Sequence, residues 1–96
     1  MNLFVVGYEQ CPYFMAACSE LTLANISYTS ISVQDKDELR TKVRQIKRLH
    51  PVEGVSGATS PQILRVDAAV VVCIGGYDSL EHIGLENVMS WRPLAF

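Results

Sequence analysis

The sequence predicts an α/β fold in one domain, residues 1–96: a four-stranded mixed β-sheet, laid down as βαβ and then ββα, with helices on both faces. Three observations predict it. Short runs of β-branched and apolar residues recur at strand length, and between them lie stretches whose apolar residues repeat at helical spacing. The last two strand runs are separated only by Asp67 and Ala68, too few residues for a helical crossover, so that pair is antiparallel. At 96 residues, with 49% of them apolar, the chain has the length and composition of one small core.

Taken in order, residues 3–6 (Leu3, Phe4, Val5, Val6) form an apolar run ended by Gly7, the length of a buried strand. Pro12 suits the first turn of a helix, and Ala16, Ala17, Leu21 and Ala24 carry helical spacing up to Asn25. Residues 26–33 alternate and are rich in β-branched and aromatic types, which reads as the second strand. From Asp35 the stripe Leu39, Val43, Ile46 marks an amphipathic helix that continues towards Leu49 and stops at His50-Pro51. Residues 51–60 hold Gly54 and Gly57 among serines and a threonine and read as a long loop, a kind of segment that often serves function. Strands follow at 62–66 and 69–74, then a last helix at about 79–90 marked by Ile83, Val88 and Met89, then a tail, residues 91–96, that folds back onto apolar surface.

Composition excludes several function classes. A net charge of −2 argues against nucleic-acid binding, and no run of about eighteen apolar residues suggests a membrane span. Gly7 cuts short the first apolar run, so no signal peptide is expected and the location is read as cytoplasmic. Three cysteines at irregular spacing suit free thiols in a reducing compartment. Five of the eight basic residues (Arg40, Lys42, Arg44, Lys47, Arg48) crowd into the second predicted helix.

Cys11 is the candidate nucleophile. Only the thiolate attacks, and a cysteine of ordinary pKa, about 8.5, is a few per cent ionised at pH 7. A place between a strand end and a proline-started helix offers the unpaired N–H groups and positive dipole end that favour the anion. Cys18 lies seven residues on, about 10 Å of helix rise, whereas bridged Cα atoms lie within about 7 Å, so it reads as a packing residue. Cys73, on the last strand, is read the same way.

Three segments in this order, Tyr8-Glu9-Gln10-Cys11-Pro12-Tyr13-Phe14, Thr59-Ser60-Pro61-Gln62 and Cys73-Ile74-Gly75-Gly76-Tyr77-Asp78-Ser79-Leu80, resemble the glutaredoxin family over about residues 3–90, and the layout is similar to the thioredoxin-like fold. The resemblance implies a glutathione-dependent thiol–disulfide oxidoreductase with Cys11 as its catalytic residue. It implies a glutathione site of Tyr13, Thr59, Ser60, Pro61, Gly75, Gly76, Tyr77, Asp78 and Ser79, with a cis bond at Ser60-Pro61. Gly75 and Gly76 permit close backbone approach, and Asp78 takes the ligand ammonium or, with Glu81, forms a capping box. Arg44 and Lys47 are added as partners for the glycine carboxylate of glutathione.

The chain also departs from the family pattern. Phe14 replaces the usual second cysteine, which implies a monothiol route acting on glutathionylated or disulfide-containing proteins, with glutathione as co-substrate, no metal, and a monomer. Glu9 and Gln10 stand where the family tends to have a lysine, so a thiol less acidic than the family norm is expected. Ser79 stands where an acidic residue is frequent. Two other readings accompany this one: a dimer that holds an iron–sulfur cluster through paired Cys11 thiolates and glutathione, and a redox-inactive domain that binds a partner through the 51–60 loop.

Overall fold

A computed structural model describes residues 2–48, 51–54 and 59–93. It shows one mixed sheet of five strands and three helices: β1 Asn2–Tyr8, α1 Pro12–Leu23, β2 Thr29–Val33, α2 Lys36–Lys47, β3 Val52–Glu53, β4 Gln62–Val66, β5 Val71–Gly75 and α3 Tyr77–Ile83. The strand order is β2-β1-β4-β5-β3. The β1–β2 and β3–β5 pairs are parallel, and β1–β4 and β4–β5 are antiparallel. The expected four strands are therefore corrected to five. The extra one, β3, lies inside the stretch read as a loop, where two residues after a proline are too short to show any period; Val52 and Glu53 are held by their register with Val71 and Val72. Residues 55–58 of that stretch, Leu49 and His50 of the second helix reading, and 94–96 of the tail lie outside the described residues.

Side chains alternate across the sheet, and the two faces carry separate cores. Leu3, Val5, Ile63, Val72 and Ile74 pack with Phe14, Ala17 and Leu21 of α1, Leu80 of α3 and Val88. On the opposite face Val6, Val33, Leu64, Val71 and Cys73 pack with Leu39, Val43 and Ile46 of α2. Helices thus cover both faces, as expected. Among the described residues no helix is long and apolar enough to cross a membrane.

Local chemistry explains where boundaries moved. The first helix ends in a Schellman turn: Asn25 takes φ 64°, its N–H reaches Thr22 O at 3.1 Å, and the Ile26 N–H reaches Leu21 O at 2.9 Å. That turn consumes Ile26, so β2 starts at Thr29. Helix α2 is capped by Asp35, whose carboxylate accepts the Glu38 N–H at 2.8 Å. Helix α3 begins earlier than residue 79 and stops at Ile83, because Gly84 at φ 89° turns the chain; turns then carry residues 85–90, with Val88 fully buried. The cap of α3 is Gly76 and no side chain serves it, so the capping-box reading of Asp78 and Glu81 is corrected.

An ion-pair chain escaped the sequence. Arg65, 1% exposed on β4, places Nε 3.1 Å from Asp67 Oδ1 and Nη2 3.3 Å from Oδ2, and its Nη1 donates to Val88 O at 2.7 Å. Arg92 then joins Asp67 at 3.5 Å to Glu53 of β3 at 2.6 Å. One chain of charges ties the β4–β5 turn, β3 and the segment after α3.

Candidate functional site

Cys11 is the N-cap of α1, in extended backbone between β1 and Pro12. Its N–H donates to Tyr8 O at 3.0 Å, and its Sγ lies 3.8 Å from the carbonyl oxygen of Ser60. The Ser60–Pro61 peptide is cis, the isomer the resemblance implies. Gln62, 2% exposed, holds this turn with its amide nitrogen 2.5 Å from Thr59 O and 3.2 Å from Thr59 Oγ1.

Partial burial opposes ionisation of the Cys11 thiol, but the Ser60 side chain and the backbone amides of Phe14 and Tyr13 outweigh it, and the pKa falls below that of an ordinary cysteine. The Tyr8 N–H donates to Ser60 Oγ at 3.0 Å, which leaves the hydroxyl proton for the thiolate. Glu9 is exposed and is not among the groups that move the thiol, so the effect expected of its carboxylate on ionisation does not arise from this geometry. Burial pushes the other two thiols up, against weaker opposing effects of Tyr28 at Cys18 and of Lys47 at Cys73, which fits packing roles for both.

Beside the thiol a cleft of about 420 Å³ is lined by Tyr13, Thr59, Ser60, Gly76, Tyr77, Asp78 and Ser79. Seven of the expected binding residues therefore meet. The rings of Tyr13 and Tyr77 stand 5.7 Å apart at one side. The carboxylates of Glu20 and Glu81 raise the Tyr77 phenol's pKa far above its ordinary range, so it stays protonated. The Asp78 carboxylate is exposed and has no partner among the described residues. Pro61 is buried behind the wall. Gly75 supports the cleft from beneath: at φ 117°, a Cβ there would lie 2.8 Å from Ser79 Cβ. At Gly76 a Cβ would meet only Pro61 O at 3.5 Å, so the fold itself does not demand glycine there.

Arg44 and Lys47, the two residues added for the glycine carboxylate, are not among the residues that line this cleft. Lys47 places its charge near Cys73, in the core on the α2 face, and Arg44 is exposed on the same helix. Their spacing identified a helix face, but sequence could not say which end of the sheet that face reaches.

Gly7 is the site residue missed in the sequence. Strand β1 runs through it to Tyr8, and a Cβ there would lie 2.6 Å from Phe14 Cδ1 and 2.8 Å from Ser60 Oγ. A glycine inside a strand is the signal of close approach that would have found it. Gly7→Ala is expected to displace Phe14 or Ser60, to cost about 1–3 kcal/mol of stability, and to slow iodoacetamide alkylation of Cys11 at neutral pH; denaturant titration and timed alkylation check both.

The chain matches no protein-family model and no curated protein sequence.

Proposed function

We propose that this protein is a glutathione-dependent thiol–disulfide oxidoreductase of the glutaredoxin kind, with a thioredoxin-like fold, working by a monothiol route through Cys11. The observation that carries the reading is the meeting of a thiol with a lowered pKa, the Ser60-Pro61 turn and a cleft of about 420 Å³, a volume within the range of small-molecule sites, about 300–1,000 Å³.

The Cys11 thiolate attacks the glutathione sulfur of a glutathionylated protein. A Cys11–glutathione disulfide forms, the original S–S bond breaks, and the protein sulfur leaves as a thiolate that takes a proton from solvent. A second glutathione thiolate attacks the glutathione sulfur of that adduct, giving oxidised glutathione and restoring the Cys11 thiolate. No resolving cysteine takes part, in keeping with Phe14 buried against Gly7.

In this reading the tripeptide lies along the cleft with its cysteine beside Ser60, and Asp78 receives its ammonium. Gly76, which internal packing leaves free to carry a side chain, admits the ligand backbone. With Arg44 and Lys47 elsewhere, hydroxyls of Thr59 and Ser79 and backbone N–H groups meet the ligand carboxylates.

Incubation with oxidised glutathione followed by intact-mass and peptide mapping tests the reading. One glutathione adduct, on Cys11, is the expected result. Absence of an adduct there, with the protein folded, overturns it.

A further inference from the structure

Apart from the cleft, with no lining residue in common, a second groove of about 300 Å³ is lined by Tyr8, Glu9 and Gln10, the three residues that precede Cys11, with Val33 and Gln34. Its polar groups differ in how far they are already engaged. The Gln34 N–H donates to Glu38 Oε2 at 3.3 Å, and the Asp35 carboxylate is engaged by the Glu38 N–H. Glu9 is exposed; its N–H donates to Val33 O at 3.3 Å, and its carboxylate has no hydrogen-bond or ionic partner among the described residues. Among the described residues no lysine or arginine lines the groove or the cleft. The basic residues of α2, Lys36, Arg40, Lys42, Arg44 and Lys47, line neither of them. A polypeptide whose sulfur reaches Cys11 must overlie the rim around it, and the tripeptide fills only the cleft side.

We propose that the polypeptide substrate of Cys11 carries a lysine or arginine close to its reacting cysteine, seated in the Tyr8–Gln34 groove against the Glu9 carboxylate. This rests on the thiol-exchange reading above and adds the chemistry of the partner. An exposed charge at the rim acts mainly on encounter, so it selects partners by rate and is weakened by salt.

Two cysteine peptides, one flanked by lysines and one by glutamates, each activated as the mixed disulfide with 2-thiopyridine, provide the test. The Cys11 thiolate attacks the peptide sulfur, a Cys11–peptide disulfide forms, and thiopyridine leaves as the measured thione after taking a proton. Rates are divided by those of an uncharged small thiol with the same peptide, which removes the peptides' own reactivity. The lysine peptide is expected to react about two- to fivefold faster at low ionic strength. The ratio is expected to fall towards one in high salt, to shrink in Glu9→Gln and to invert in Glu9→Lys. Equal rates, no reaction with either peptide, or a ratio that follows Asp78→Asn and ignores Glu9→Lys would each overturn the proposal. Because this exchange needs no glutathione, a peptide preference without the Cys11–glutathione adduct would retain the groove and reject the glutathione reading.

Discussion

Asp67→Ala is expected to lower the unfolding free energy by about 3–5 kcal/mol, the cost of removing one partner from a buried ion pair. Arg65 is 1% exposed and its guanidinium is held by Asp67 and by Val88 O. Without Asp67 a full charge stays in the core facing a single carbonyl. The same change frees Arg92 from one of its two carboxylates, so the contact of the last described segment with β3 loosens as well. For a domain of this size the loss corresponds to a drop in melting temperature of at least about 12 °C. A urea midpoint shifted at unchanged slope measures it. Arg65→Met combined with Asp67→Asn is expected to recover much of the loss, since it removes the charge along with its partner. A loss below about 1 kcal/mol in the single variant would mean that water already reaches the pair.

The second large effect is on reactivity. Cys11→Ser is expected to reduce glutathione-dependent reduction of a glutathionylated peptide to the uncatalysed background, since a hydroxyl forms no disulfide and is not ionised at neutral pH. Ser60→Ala separates activation of the thiol from its presence. Burial raises the Cys11 pKa, and the Ser60 side chain and the Phe14 and Tyr13 amides lower it by more. The thiolate fraction increases as pH rises through the pKa, so in the native protein the midpoint of alkylation lies below that of free cysteine. Deleting the Ser60 hydroxyl leaves burial less opposed, and the midpoint moves to higher pH. At neutral pH alkylation then slows, while the rate at alkaline pH, where both proteins are ionised, changes little. A midpoint that does not move would show that the helix amides alone set the thiol. Circular dichroism separates this from unfolding, because the Tyr8 N–H also loses its acceptor.

Much of this site is legible in the sequence. Residues 62–66 read as a strand and form one, and Leu39, Val43 and Ile46 read as a buried stripe and are buried. Seven expected residues share the cleft because they lie in segments whose ends the element order brings together, the turn after β1, the turn before β4 and the start of α3. Other features depended on distance across the fold. Strand β3 has no pattern of its own, and Arg65 sits at a position where alternation predicts an apolar residue on the same face as Ile63. Its acceptability depends on Asp67 being two residues away and on Val88 O closing over it from the far side of α3.

The sequence by itself determined the order of every element but β3, the amphipathic faces, the helix start at Pro12 and the solitary character of Cys11, since all of these follow from local periodicity, from residue type and from the absence of a second cysteine at residue 14. The tertiary structure decided what surrounds that thiol. It set Ser60 against Cys11, laid Phe14 on Gly7, directed Lys47 towards Cys73 and kept Arg44 and Lys47 out of the lining of the cleft, leaving the Glu9 carboxylate without a partner among the described residues. The physical reason is that charge and hydrogen-bond partners act over a few ångströms in space, and sequence spacing reports that distance only within one element.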